Sequence, residues 1–382
     1  MSSDPQSSVI TTPKPAVPER RPRPSRLVSL DALRGFDMFW IIGGAAIVTG
    51  FAKAAIGPAA QPFIDQFEHV PWEGLHFFDV IWPLFMFIVG VSLPFSLAKR
   101  RAEGARDSSI YLHAAQRALI LFILGMIAQG NLLAFDLSKL HPCYSVLHGI
   151  AAGYLIATVV ALNLRPRGQA AVIASFLLLY WALLMWIPVP GVGRGVLTPT
   201  GNAATYVDHV VLGSFSYGTN TWFLSYLGFA SSVLLGVLAG ELLRSSRPDR
   251  TKAAALVGGG VALFLLGLLW SVWFPIIKLL WNGPFVLAGG GLSAILLGLF
   301  YGVIDVLGWR KWAFGFIVIG MNSIAVYMAT MLFDFRRVGN IFVGALLKWL
   351  GDWAGFVEAA AAFTVVWLIL YWMYRKKTFL KV

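Results

Sequence analysis

The sequence predicts an all-α fold: a polytopic helical membrane protein of roughly ten transmembrane helices. Three observations predict it. The chain is 58% hydrophobic and only 13% charged, with a mean hydropathy of +0.73. Its apolar residues gather into repeated runs of about 20, the length that crosses a bilayer. The Lys and Arg residues between those runs sort onto alternate loops. Only helices and closed barrels satisfy the backbone in lipid, so runs of this length are helices. The 15 Trp and 11 Tyr suit the aromatic belts of the two membrane interfaces. The net charge of +12 is explained by the basic inside loops, and no nucleic-acid motif accompanies it. A single cysteine, Cys143, excludes an internal disulfide framework and a cysteine-rich metal site.

Residues 1–25 are rich in Ser, Pro and Arg with no apolar segment, so a disordered basic tail is expected there, not a cleavable signal. The remainder, 26–382, reads as one transmembrane domain. Its apolar runs are 27–50, 76–98, 111–131, 142–163, 168–188, 221–243, 253–274, 284–307, 312–333 and 354–374. A shorter run at 340–350 is too short to span and reads as interfacial or re-entrant. Clusters at 99–106, 165–167, 244–252, 310–311 and 375–381 carry most of the Lys and Arg, which places those loops and both termini in the cytoplasm. The long loops 51–75 and 189–220 then face outside, where together they can roof a pocket. The segments 256–270 and 287–301 resemble each other through their GGG motifs, a pattern that small residues at helix interfaces explain.

The polar groups that enter these runs are the candidates for chemistry, because intramembrane charge is costly and tends to be functional. In EHVPWEGLHFFDVIWPLFMFIVG (68–90), His69 stands in a loop just before a span, so packing does not account for it. His76 and Asp79 share a face at the helix entry, and a carboxylate orienting an imidazole is the arrangement of general-base catalysis. Trp72 offers a flat apolar surface of the kind sugar rings favour, and Glu73 a charged hydrogen-bonding group. Asp31, Arg34 and Asp37 are spaced to pair along one helical stripe; Arg34 either snorkels to the inner interface or faces a ligand phosphate. Arg117 is open to the same two readings. His148 and Asn322 sit among apolar residues, where polar contacts between helices are the commoner role. There is no HExxH, GxSxG, Walker or Rossmann pattern and no Cys/His metal spacing, so no resident metal is expected.

SLDALRGFDMFW, HVPWEGLHFFDVIWPLFMFIVGVSL, VLHGIAAGYLIA, GNAATYVDHVVLG and FPIIKLLWNGPFVLAGG…IGMNSIAVY resemble, in the same order over nearly the whole chain, one family. It is the transmembrane acetyltransferase family of heparan-α-glucosaminide N-acetyltransferase and its bacterial relatives. The most specific element, H-x-x-W-x-G-x-x-x-x-D-x-x-x-P-x-F, is complete at 69–85. Two positions depart from the family pattern: His148 and Gly149 stand where it has Gln and Arg, and Ala45 where an Asn is usual.

The resemblance implies acetyl transfer from cytosolic acetyl-CoA to the amino group of a glucosamine-type sugar on the far side of the membrane. His69 matches the active-site histidine, with Asp79 its expected partner. Arg34, Arg117, His148 and Asn322 are the expected donor contacts; Trp72, Glu73, Asn202 and Asp208 are the expected sugar contacts. A bacterial inner membrane is the expected location, with membrane lipid as surroundings and a homodimer left open. The rival readings are a secondary transporter or sugar permease, and an acyltransferase with another glycan acceptor.

Overall fold

The apolar runs of the sequence are helices in the computed structural model, which describes residues 27–130, 132–136, 140–216 and 218–380; the tail expected over 1–25 lies outside them. Helix α1 (Val28–Phe39) passes through a π-helical turn (Trp40–Gly44) into α2 (Ala45–Ile56), followed by the short α3 (Gln61–Ile64). Then come α4 (Ile81–Ala102), α5 (Asp107–Ala128), α6 (Val146–Asn163), α7 (Pro166–Trp186) and α8 (Ala203–Leu212). The chain continues through α9 (Tyr226–Arg244), α10 (Asp249–Ser271), α11 (Gly283–Phe300), α12 (Phe314–Gly320) and α13 (Ser323–Leu332). It closes with α14 (Phe335–Leu347) and α15 (Ala354–Arg375). Among the described residues, 9 helices are long and apolar enough to cross a membrane, and the pair α12–α13, bent by 62°, brings the number to 10 if counted as one broken span. The protein is an integral membrane protein.

The core is a spine of α4, α9 and α11, whose most apolar windows are 72%, 72% and 67% buried, against 17% for the peripheral α10. Close backbone approach builds this spine. A Cβ on Gly90 would collide with the Val233 carbonyl, and one on Gly236 with the Phe87 carbonyl, so α4 and α9 touch backbone to backbone. Gly260 and Gly291 do the same between α10 and α11. The two similar GGG segments are therefore used for helix packing. Gly35 on α1 and Gly320 on α12 form a third crossing of this kind.

Two expected loops contain helix. The first span runs beyond residue 50, because the Ala- and Ile-rich segment after it is helical until Gly57 (φ 73) ends α2. Short turns then carry the chain to Phe67. The 189–220 loop contains α8, capped by the Asn202 side chain accepting from Thr205 N at 2.8 Å. Most of the short run expected at 340–350 falls in α14, which ends at Leu347 and exposes Ile341 (78%) and Phe342 (75%) as a lipid-facing helix does.

Candidate active site

The site is built around Asp79, which is 0% exposed at the 3-10 turn (Phe77–Val80) leading into α4. One carboxylate oxygen is consumed by the fold. Oδ2 accepts from His76 N at 3.0 Å and Val70 N at 3.4 Å, which caps the turn and draws the preceding loop onto it. The other oxygen faces the site. Oδ1 is 2.8 Å from His69 Nδ1 and 3.0 Å from Lys278 Nζ. His69 is left 55% exposed, whereas the Lys278 side chain is 12% exposed.

Lys278 is brought in from the connection between α10 and α11. Gly74 N donates to Ile276 O at 2.9 Å, and Glu73 pairs with Ile277 as an isolated antiparallel bridge. Asn282 braces the same connection, donating to Pro275 O at 2.7 Å and accepting from Ile277 N at 3.3 Å. Lys278 Nζ lies 2.8 Å from His69 Nδ1 and 3.3 Å from Nε2, so it rests against the ring. The hydrogen on Nδ1 goes to Asp79, the stronger acceptor, and Lys278 donates to the same carboxylate. Nε2 then carries the imidazole lone pair. Burial pushes the Lys278 ammonium below its ordinary range, and the charge of Asp79 opposes that shift.

A cavity of about 340 Å³ starts at His69 and Lys278 and runs between α1, α4, α6 and α13, past Phe85, Ile150 and Tyr327. Arg34 and Arg117 lie farther along the same helix faces. Arg34 is one turn before the cavity residue Met38 and bonds to Ser92, seven residues past Phe85, about 10 Å farther down α4. Arg117 covers the Tyr154 ring at 4.7 Å, and Tyr154 is one turn past Ile150. Two guanidinium groups thus stand toward the end of the cavity away from His69.

The other expected site residues are placed as follows. Arg34 pairs with Asp31 at 3.5 Å but not with Asp37, correcting the expected three-residue stripe. Helical side chains lean toward the N-terminus, which carries Arg34 toward Asp31 and Ser92. Both Asp37 oxygens are buried without a hydrogen-bond partner among the described residues. His148 accepts from Tyr144 N and Ser145 N at 3.2 and 3.1 Å and donates from Nε2 to Phe122 O at 3.0 Å, so neither ring nitrogen remains for a nucleotide. Asn322, at the break between α12 and α13, donates to Thr378 O at 3.2 Å and accepts from Leu380 N at 3.0 Å. Asn202 caps α8, and Asp208 accepts from Trp222 N at 2.7 Å and Phe223 N at 2.9 Å. Burial lifts Asp208 to about 6, with those two hydrogen bonds opposing it.

Trp72 donates from its indole to Leu197 O at 2.7 Å, which ties the two long loops together, but the residues lining the His69 cavity include neither Trp72 nor any of 189–220. Glu73 is exposed. Lys278 is the residue that sequence reasoning passed over. Its signal was a basic residue on a loop otherwise poor in them, inside the matching FPIIKLLWNGPF segment. Among the described residues, no group of His, Cys, Asp and Glu is placed to hold a metal ion.

Fold and site together define a polytopic membrane protein with a His–Asp–Lys cluster at the mouth of an intramembrane cavity. No protein-family model matches the chain. It is similar to heparan-alpha-glucosaminide N-acetyltransferase of Mus musculus, 27% identical over 384 residues, covering 83% of this chain and 56% of that protein. It is also similar to the protein of the same name from Homo sapiens, 27% identical over 425 residues, covering 94% of this chain and 60% of that protein. The chain thus spans well under two thirds of the length of these relatives, and is distantly related to their family.

Proposed function

We propose that the protein transfers an acetyl group from cytosolic acetyl-CoA to the amino group of a glucosamine-type sugar at the outer membrane face. The observation that carries this is the His69–Asp79 pair, 2.8 Å apart, at the mouth of the cavity. The relatives' name supports the reaction class. The positions of Arg34 and Arg117 support a donor that enters from the opposite end, since guanidinium suits bidentate contact with nucleotide phosphate.

The reaction requires a sugar ammonium to lose protons as its nitrogen forms the bond to the acetyl carbon. His69 Nε2 takes the proton that frees the nitrogen lone pair, the carbon–nitrogen bond forms as the carbon–sulfur bond breaks, and the second proton shed by the nitrogen ends on the departing CoA thiolate, giving the thiol. Asp79 fixes the imidazole tautomer and stabilises the imidazolium that forms. Lys278, a cation lining the cavity beside His69, faces the negative charge that develops on the carbonyl oxygen. A route through an acetyl-imidazole on His69 uses the same geometry in two steps.

The experiment is to reconstitute the purified protein in liposomes and supply acetyl-CoA on one side and glucosamine on the other. N-acetylglucosamine formed with stoichiometric CoA release supports the proposal. A second reading, a sugar transporter, draws on the 62° break at Asn322, since transporters build sites at broken helices. Flux of unmodified glucosamine without CoA release would favour it.

A further inference from the structure

A second pair of cavities adjoins the first and has no part in the chemistry above. One, about 580 Å³, lies along the π-helical turn of the first span and against α13, α14 and α15. The other, about 280 Å³, continues it toward Lys53 and Ile64 near the His69 end of the bundle. Arg336 lines both, at their junction. The larger cavity shares Ile41, Phe78 and Met331 with the lining of the His69 cavity. The ring of Phe78 lies 5.0 Å from that of His69.

The charges around this groove do not cancel. Asp334 is paired with Arg337 at 3.2 Å; Glu358, which lines the smaller cavity, accepts an amide hydrogen bond from Asn340 Nδ2 at 2.7 Å and keeps its charge, one anion against two cations. The guanidinium of Arg336 and the ammonium of Lys53 have no partner among the described residues, and both residues are exposed. Besides Arg336, the larger cavity is lined by the polar Thr330 and Asp334; Ile42, Leu332 and Ala362 belong to its apolar wall. The flanking helices α2 and α14 turn large apolar side chains outward, Phe51 at 49% and Ile341 at 78% exposure, so the groove lies within the lipid-facing belt. Gly43, at φ 136 inside the π-helical turn, breaks the regular helix where it lines the cavity; π-turns are frequent at functional sites.

From this arrangement we propose that the groove binds a lipid phosphate, its anionic head on Arg336 with Lys53 nearby and its apolar chain along the inner walls. Basic pockets between transmembrane helices recognise lipid head groups by this combination. A soluble phosphate leaves the apolar walls wet, and an uncharged lipid leaves Arg336 unpaired; the amphiphile satisfies both. Its source is either a bilayer phospholipid or a phosphate-linked lipid that carries the acceptor sugar. The second source rests on the acetyl-transfer proposal; the binding itself does not.

Native mass spectrometry of the detergent-solubilised protein tests the binding, with phosphatidylglycerol, the corresponding diacylglycerol and inorganic phosphate as probes. The expected result is retention of one phosphatidylglycerol in clear preference to diacylglycerol. Arg336→Gln should weaken it about five- to tenfold, the loss of one charged contact, and Arg336→Lys should weaken it less. Arg336 is exposed at the start of α14, so its variants are expected to fold. An Ala46→Trp variant, filling the junction of the two cavities, should lose the lipid with the charge intact. Equal retention by Arg336→Gln, or displacement by inorganic phosphate at matching concentration, overturns the proposal. Acetyl transfer to glucosamine on an isoprenyl phosphate, compared with free glucosamine, then assigns the source. A preference for the lipid-linked sugar that disappears in Arg336→Gln makes the phosphate part of the acceptor; retention without that preference makes it a bilayer lipid. If no acceptor is acetylated, the function proposal fails while the retention result still decides this one.

Discussion

Removing the Asp79 carboxylate is expected to damage both stability and turnover, and the two can be measured apart. The side chain is fully buried and meets four donors: His69, Lys278 and the backbone N–H groups of His76 and Val70. Asp79→Ala leaves the Lys278 ammonium, 12% exposed, without its counter-ion. Breaking one side of such a buried pair costs about 3–5 kcal/mol. Lys278→Met removes the stranded charge, so the double variant should recover part of that loss, a coupling of about 1–3 kcal/mol. Unfolding of the purified protein in mixed detergent micelles, followed by Trp fluorescence, reads all four corners of the cycle. Asp79→Asn keeps the shape and should fold. It should nevertheless lower acetyl transfer by about 10²–10⁴, since the imidazole loses the anion that orients it. Strictly additive single losses, or an Asp79→Asn protein with near-normal turnover, would refute the shared-carboxylate account.

Other outcomes follow from particular contacts. Arg34→Gln and Arg117→Gln should raise KM for acetyl-CoA while leaving KM for the sugar nearly unchanged, as measured by steady-state kinetics; loss of folded protein instead assigns the arginines to packing. Gly90→Leu should abolish recovery of folded protein by size-exclusion chromatography, because the side chain meets the Val233 backbone, whereas Gly258→Ala, with nothing near its Cβ position, should be neutral. Asp208, lifted from 3.8 to about 6 by burial, binds a proton more tightly in the folded than in the unfolded chain. Its contribution is full below about pH 4 and is lost as pH rises through about 6, a change of about 3 kcal/mol. Unfolding midpoints at pH 4–7 should show that fall, and Asp208→Asn should flatten it.

The spans were legible because a bilayer leaves few options: a run of apolar residues long enough to cross must be a helix. The extension of the first span past residue 50 was not, since Gly57, Pro58, Gln61 and Asp65 read as loop chemistry although the turns between them remain helical. Half of the site was visible for a local reason, because His69 and Asp79 fall on the two sides of one helix entry. Lys278 stands 209 residues from His69 in sequence, and only the pairing of 73–74 with 276–277 brings it there. Side-chain direction decided Arg34 against Asp37, which spacing alone left symmetrical. His148 and Asn322 each have their polar atoms used within the fold, the commoner role for polar groups between membrane helices.

If His69 takes the proton or carries the acetyl group, His69→Ala in reconstituted liposomes will show it. The variant should fold and bind acetyl-CoA, because its side chain is half exposed and stands away from Arg34 and Arg117. Acetylation of glucosamine should fall by about 10²–10⁴, or vanish if the histidine is itself acetylated. His76→Ala, whose Nδ1 donates to the Glu68 carbonyl at 3.0 Å and not to Asp79, should lose far less. A folded His69→Ala protein that acetylates glucosamine at close to the normal rate would contradict the account.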